Sequence, residues 1–159
     1  MTLALGIDPG TATTGYGLVR LTRDGSLVAV KYGVISTPKE SSAPARLEIL
    51  YNQLRDLLKQ QNPDTAAVEK LFFSRNVTTA IAVGQARGVI LLAIAESGLD
   101  VFEYTPNEVK QAVASYGAAQ KRQVQEMVRT LLSMPEIPRP DDAADALAIA
   151  ITHLNTQRY

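Results

Sequence analysis

Four carboxylates occupy positions where a sheet and a helix would bring them together. Asp8 and Glu69 each end a short apolar run, and Asp142 and Asp145 lie three residues apart at the start of an apolar segment. The ends of neighbouring strands meet at one sheet edge, and helix residues three apart share a face. Crowded carboxylates repel unless hard cations neutralise them, and oxygen ligands suit Mg²⁺ or Mn²⁺. Two such ions activate water and stabilise the leaving oxygen of a phosphodiester, so the pattern is typical of metal-dependent hydrolysis.

Each of these acids also has an ordinary structural interpretation. Asp8 precedes a Pro-Gly pair and could be a turn residue that bonds its own backbone, and Glu69 could pair with a nearby cation. Asp141 or Asp142 could be a helix N-cap, and Asp145 could complement the helix dipole. The joint arrangement is harder to explain in this way than any one of its members.

Composition excludes several other kinds of site. The chain has 159 residues, of which 46% are apolar and 20% charged, as in a soluble globular domain spanning residues 1–159. It has no cysteine, which excludes disulfides, thiolate metal sites and a cysteine nucleophile. Its one histidine, His153, cannot form a multi-imidazole site, and we interpret it as structural because it lies about 12 Å along a helix from Asp145.

Charge is balanced overall but uneven along the chain. The formal net charge is zero, yet residues 70–88 contain three cations and no acid, and residues 109–135 contain four cations and one acid. A basic face around an acidic pocket fits this distribution, and so do solvated helix faces. No apolar run approaches the length of a membrane span and the N-terminus lacks a signal pattern, so we expect a cytoplasmic protein without membrane contact.

The elements that would position the acids follow from periodicity and breaker residues. Alternating apolar residues predict strands over 3–8, 15–21, 27–35, 65–69 and 101–104. Helical spacing, capping residues and prolines predict helices over about 43–62, 76–97, from 106, 119–133 and from 141 or 142 to 154. The resulting order, βββαβαβααα, predicts an α/β protein with one five-stranded mixed sheet and helices on both faces, consistent with a ribonuclease H-like fold.

Four segments together resemble the RuvC family, the bacterial Holliday-junction resolvases. They are GIDPG at 6–10, VEKLF at 68–72, VGQARG at 83–88 and DAADALAIA at 142–150. The resemblance implies a homodimeric, Mg²⁺-dependent endonuclease that makes paired symmetric nicks in a four-way junction, leaving 5′-phosphate and 3′-hydroxyl ends. It places the family's metal-binding acids, two ions per site with Mn²⁺ as a substitute, on Asp8, Glu69, Asp142 and Asp145. It also implies a partnership with the RuvA–RuvB branch-migration complex.

The resemblance extends to residues that would contact DNA. It places a base-stacking aromatic at Phe72 and lysines near the scissile phosphate at Lys110 and Lys121. Further phosphate contacts could come from Lys70, Arg75 and Arg122, although each could equally be a solvated surface charge. Asp141 stands directly before the last motif, but its register partner three residues on is an alanine, so we favour Asp142 with Asp145.

Small residues recur every four positions at Ala80, Gly84 and Gly88, and the resemblance assigns this helix to the dimer interface. Packing against the protein's own sheet is the alternative. Two other functions also remain open. The GIDPGT segment resembles the first phosphate loop of actin-like ATPases and sugar kinases, although the chain is too short for their second lobe. A non-catalytic binding module related to the YqgF group would not need a repulsive carboxylate cluster.

Overall fold

A computed structural model describes residues 1–70, 76–157 and 159. The elements occur in the predicted order: β1 (Thr2–Asp8), β2 (Thr13–Leu21), β3 (Leu27–Ser36), α1 (Ala43–Gln61), β4 (Thr65–Glu69), α2 (Val77–Glu96), β5 (Val101–Tyr104), α3 (Pro106–Ala114), α4 (Lys121–Leu131) and α5 (Asp141–Gln157). The bounds differ from the predicted ones by a few residues at most, with β2 beginning at Thr13 rather than Gly15.

One five-stranded sheet has the order β3-β2-β1-β4-β5, which confirms the predicted mixed α/β architecture. The first three strands form the antiparallel meander, whereas β1 pairs with β4 and β4 with β5 in parallel. Ile7 pairs with Val68, so the next residues, Asp8 and Glu69, end adjacent parallel strands at the same sheet edge. The topology therefore produces the juxtaposition that the sequence predicts for these two acids.

Helices cover both faces of the sheet and enclose two hydrophobic clusters. Leu5, Ile7 and Val68 project toward α1 and α2, where they meet residues such as Leu54 and Ile90. The alternate positions of the same strands project toward α5, with α3 and α4 packed beside it. Because strand side chains alternate between faces, Asp8 and Glu69 lie on the α5 side.

Helix α5 approaches the sheet very closely because glycines form the surface beneath it. A β-carbon on Gly6 would lie 2.1 Å from the carbonyl oxygen of Ala146, and one on Gly15 would lie 2.0 Å from that of Asp142. Both distances are far shorter than van der Waals contact, so neither position accepts a side chain without moving the helix. These contacts fix where the first turns of α5 lie relative to β1 and β2.

Local sequence explains where the helices begin. The Ser42 hydroxyl caps α1, and Thr105 with Glu108 forms a reciprocal capping box at α3. At α5 the first intrahelical bonds go from Ala143 and Ala144 to the carbonyl of Pro140. Pro140 therefore occupies the N-cap position of α5. Asp141 and Asp142 lie in the first turn of the helix and are not its N-cap.

One helix in the described part of the chain is long and apolar enough to cross a membrane by length and composition. In α2 an 18-residue stretch reaches a mean hydropathy of 1.7, so the expectation that no segment approaches a span is wrong. The expectation failed because small residues contribute much of that hydropathy and break up any continuous aliphatic run. One side of α2 packs in the core through Ala86, Ile90 and Ile94, and Arg87 in the middle of the helix pairs with Glu103 of β5 at 2.5 Å.

Candidate active site

Three of the four predicted acids converge at the carboxyl end of β1. One carboxylate oxygen from each of Asp8, Asp142 and Asp145 lies within 4.8 Å of the other two, and all three residues are half-buried. Strand β1 supplies Asp8, while the first turn and a half of α5 supplies Asp142 and Asp145 on one helix face. The predicted spacing therefore does bring these side chains together.

Glu69 completes this acidic group from the end of β4. Its carboxyl group lies close enough to that of Asp8 to interact with it directly, and it adds a fourth negative charge to the site. Burial is the main cause that raises the pKa of Asp8 to about 9, and the hydrogen bond and negative charge of Glu69 raise it further. Burial likewise raises the pKa of Asp145 to about 6, against the opposing effect of Lys121.

The arrangement fits divalent cations better than it fits any ordinary structural role. Four carboxyl groups supply only oxygen donors, as Mg²⁺ and Mn²⁺ prefer, and the raised pKa values of Asp8 and Asp145 reflect the cost of burying negative charge beside other acids without a counter-ion. A turn residue or a helix cap would leave its carboxylate bonded to backbone N–H groups. Asp8 and Asp145 instead face other acids.

Asp141 takes no part in this group. Its carboxylate bonds the Lys121 ammonium at 3.1 Å and the Gln125 amide at 3.1 Å, and it is mostly exposed. These contacts hold the pKa of Asp141 below its usual range, the opposite of the shift at Asp145. The alternative register, in which Asp141 would ligate, therefore has no support in the geometry.

The hydroxyl of Thr13, which sequence reasoning missed, bonds one of the predicted ligands. Thr13 Oγ1 donates to Asp142 Oδ2 at 2.8 Å across a separation of 129 residues. A signal was available in the sequence, because Gly15 and Gly17 alternate along β2 and indicate close approach by another element. Thr13 lies on the same face of that strand.

The predicted DNA-contacting residues lie in several places. Lys110 and Lys121 line a cavity of about 260 Å³ together with Glu69 and Asp145, so both lysines flank the acidic group. Lys70 is exposed directly after Glu69, and its backbone N–H donates to the Tyr104 carbonyl at 2.8 Å.

Arg122 is exposed on α4 and pairs with Glu126 at 3.5 Å. It lines a separate polar groove that also contains Asp141. Phe72 and Arg75 lie outside the described residues.

His153 lies in the core, well away from the acids. It is fully buried, and its ring nitrogens bond the Thr65 hydroxyl at 2.6 Å and the Tyr104 hydroxyl at 2.9 Å. Burial lowers the pKa of His153 to about 4. The ring therefore stays neutral at physiological pH and links α5 to β4 and β5.

Comparison with known proteins agrees with this geometry over nearly the whole chain. The family model described as "Crossover junction endodeoxyribonuclease RuvC" matches residues 4–153. The crossover junction endodeoxyribonuclease RuvC of Chloroflexus aggregans is 60% identical over 154 residues, covering 96% of this chain and 93% of that protein.

Two solved structures extend the comparison. The RuvC of Thermus thermophilus, solved in complex with Holliday junction substrate, superposes with a TM-score of 0.94 at 37% identity and covers 99% of this chain and 96% of that one. The yeast mitochondrial Holliday junction resolvase Ydc2 has a TM-score of 0.73 at 13% identity over 98% of this chain and 78% of its own, a likeness of fold alone. With a family model and a close relative both matched almost end to end, the chain belongs to the RuvC family of crossover junction endodeoxyribonucleases.

Proposed function

We propose that this protein resolves four-way DNA junctions by hydrolysing phosphodiester bonds in two opposed strands. The observation that carries the proposal is the group formed by Asp8, Glu69, Asp142 and Asp145, in a chain whose relatives are named as crossover junction endodeoxyribonucleases. A protein that only bound junctions would gain nothing from four mutually repelling carboxyls. Their retention favours an enzyme.

In this proposal the four acids hold two Mg²⁺ ions, for which Mn²⁺ can substitute. Such ions, when bound, supply Lewis acidity toward the phosphodiester and lower the pKa of coordinated water. Asp8 and Asp145 must ionise to bind a cation, and their raised pKa values oppose ionisation. Metal binding therefore releases protons and strengthens as the pH rises. The products are a 5′-phosphate and a 3′-hydroxyl.

The cations around the site position the DNA backbone. Lys110 and Lys121 border the cavity beside Glu69, where their ammonium groups can offset charge that develops on the scissile phosphate. Lys121 is also bound to Asp141, so a phosphate must compete with that carboxylate for it. Lys70, Arg75 and Arg122 are assigned further phosphate contacts, and Phe72 stacks on a junction base.

Selectivity is expected to come from junction shape rather than from bulk charge. The formal net charge of zero gives no general attraction to DNA, and local cations supply only a few phosphate contacts. Affinity for a four-way junction should therefore exceed affinity for linear duplex at moderate salt. Equal affinities would contradict this part of the proposal.

Paired nicks require two active sites, which we assign to a homodimer formed through α2. Val77, Ile81 and Leu92 are 68%, 57% and 53% exposed on the helix side opposite its core residues. Gly88 lies on that outer side, and a β-carbon there would meet no atom within 4 Å among the described residues. Among the described residues Gly88 therefore does not pack against the protein's own sheet, and a second subunit is the occupant we propose for this side of α2.

Substituting one apolar residue on this side tests the dimer. Ile81→Glu places a charge in the proposed interface and should convert the dimer to a monomer in light scattering after size-exclusion chromatography. Val28→Glu introduces the same charge on an exposed strand position far from α2 and should leave the dimer intact. A monomeric wild type, or an unaffected Ile81→Glu variant, would contradict the assignment.

We also assign the protein to the cytoplasm, in partnership with the RuvA–RuvB complex.

The central experiment is cleavage of a mobile four-way junction with Mg²⁺ or Mn²⁺ by the wild type and by Glu69→Gln. The wild type should make paired symmetric nicks, while the variant binds the junction without cutting it. Glu48→Gln, which alters an exposed acid on α1, is the matched control and should cut normally.

Each contrary outcome points to a different error. Junction binding by the wild type without cleavage would favour a binding module, and nucleotide hydrolysis in the absence of DNA would favour the phosphate-loop enzymes. Cleavage by Glu69→Gln at the wild-type rate would mean that the active site is misplaced.

A further inference from the structure

We propose that Thr13 is a positioning residue that holds Asp142 in the orientation needed for metal binding. The proposal rests on the function assigned above and concerns a side chain outside the acidic group itself. Its basis is the 2.8 Å hydrogen bond from Thr13 Oγ1 to Asp142 Oδ2, the one side-chain bond that the structure gives to this carboxylate among the described residues.

The hydroxyl constrains the Asp142 carboxylate in a specific way. A carboxylate on a helix can rotate about its side-chain bonds, and an outer hydrogen-bond donor removes that freedom. The donor uses one lone pair of Oδ2, so the carboxylate keeps acceptor capacity for a cation. Because Thr13 is neutral, it fixes the carboxylate without neutralising the negative charge that a cation requires.

Thr13 is itself held by a network that begins at α1. The guanidinium of Arg46 donates to the Thr11 carbonyl at 3.0 Å and to the Thr37 hydroxyl at 3.0 Å. The Thr37 backbone N–H in turn donates to the Ala12 carbonyl at 3.1 Å. The segment between Asp8 and β2 is thus tied down at two consecutive residues before Thr13, so the hydroxyl has a defined position.

The close contact at Gly15 completes the geometry. Gly15 lies two residues from Thr13 on the same strand face, and its missing side chain lets the Asp142 backbone rest directly on β2. The backbone of Asp142 is therefore placed by Gly15 and its carboxylate by Thr13. Among the four acids, only Asp142 has both its backbone and its carboxylate in contact with described residues of β2.

The test compares Thr13→Val, which removes the hydroxyl at nearly constant shape, with Thr13→Ser, which keeps it. Thr14→Val is the matched control, since Thr14 is the buried neighbouring threonine of the same strand and projects to the opposite face. Mn²⁺ binding is measured by isothermal titration calorimetry, and junction cleavage is measured as a function of Mg²⁺ concentration. Loss of an outer-shell partner costs about 10- to 100-fold in metal affinity or activity in other sites.

We expect Thr13→Val to weaken Mn²⁺ binding about 10-fold or more and to raise the Mg²⁺ concentration for half-maximal cleavage by a similar factor. Thr13→Ser should restore both quantities, and Thr14→Val should leave both unchanged. Junction binding without metal should be the same in all four proteins. If Thr13→Val proves too unstable to purify, Thr13→Ala removes the same hydroxyl and takes its place.

Wild-type Mn²⁺ affinity in Thr13→Val, or equal losses in the serine and valine variants, would overturn the proposal. Failure of the proposed function has a different signature, because the wild type would then not cut junctions at all. In that case calorimetry still decides whether Thr13 supports metal binding at the acidic group.

Discussion

Replacing Asp145 with asparagine should stabilise the metal-free protein at alkaline pH while abolishing cleavage. The pKa of this carboxyl rises from 3.8 to about 6 on folding, chiefly because it is buried and partly because other acids surround it. The folded state therefore holds the proton more tightly than the unfolded state does. As the pH rises from about 4 to above 6, ionisation of Asp145 progressively destabilises the fold, and asparagine removes that cost without changing the shape.

The size of the effect follows from the shift. A rise of about two pKa units corresponds to about 3 kcal/mol at pH 8, where ionisation is complete, and to about half of that at pH 5. The site is open to water on one side, so we expect a gain of about 1–3 kcal/mol for Asp145→Asn at pH 8. By pH 4 most of the gain should disappear, because Asp145 is then protonated in the folded state and only about half ionised in the unfolded state.

Urea denaturation in EDTA at pH 8, 5 and 4 measures this gain directly. Asp141→Asn is the matched control on the same helix turn, because Asp141 is paired with Lys121 and its pKa is lowered. It should give no stabilisation at any pH. A gain for Asp145→Asn that does not change with pH would mean that packing rather than charge is responsible, and no gain at pH 8 would refute the electrostatic reasoning.

Two further substitutions test other parts of the structure. Gly15→Ala should destabilise the protein by about 1–3 kcal/mol or more, because its β-carbon would strike the Asp142 carbonyl, whereas Gly117→Ala, with its nearest atoms 4.0 Å away, should be nearly neutral in the same urea titration. His153→Gln should flatten the loss of stability on acidification between about pH 6.5 and pH 4, because the buried neutral ring of the wild type resists protonation there. An equally steep acid transition in the glutamine variant would assign that loss to other groups.

Much of the fold and of the acidic group could be predicted because local signals determined them. Apolar runs ending at Asp8 and Glu69 indicated strand ends, and the order of strands and helices made those ends neighbours. The spacing of Asp142 and Asp145 needed only helical periodicity. In each case the relevant information lies within a few residues of the side chain concerned.

Contacts between residues that are distant in the sequence could not be predicted from local patterns. The bond from Thr13 to Asp142 joins opposite ends of the chain, and Arg87 reaches Glu103 only because α2 lies against β5. The span-like hydropathy of α2 was missed because small residues, individually only mildly apolar, add up over twenty positions. The exposed apolar side of α2 could be identified only after the structure showed which residues of the helix pack in the core.

The same helix that carries two of the acids also forms the centre of the protein, and this has an evolutionary consequence. Eleven residues of α5 between Ala143 and Leu154 are buried, so inserting or deleting one residue there would rotate the remaining core positions by about 100°. The end of α5 that carries Asp142 and Asp145 therefore cannot shift in register while the protein still folds. Changes in substrate preference are therefore expected in segments that contribute little to the core, such as the exposed face of α4.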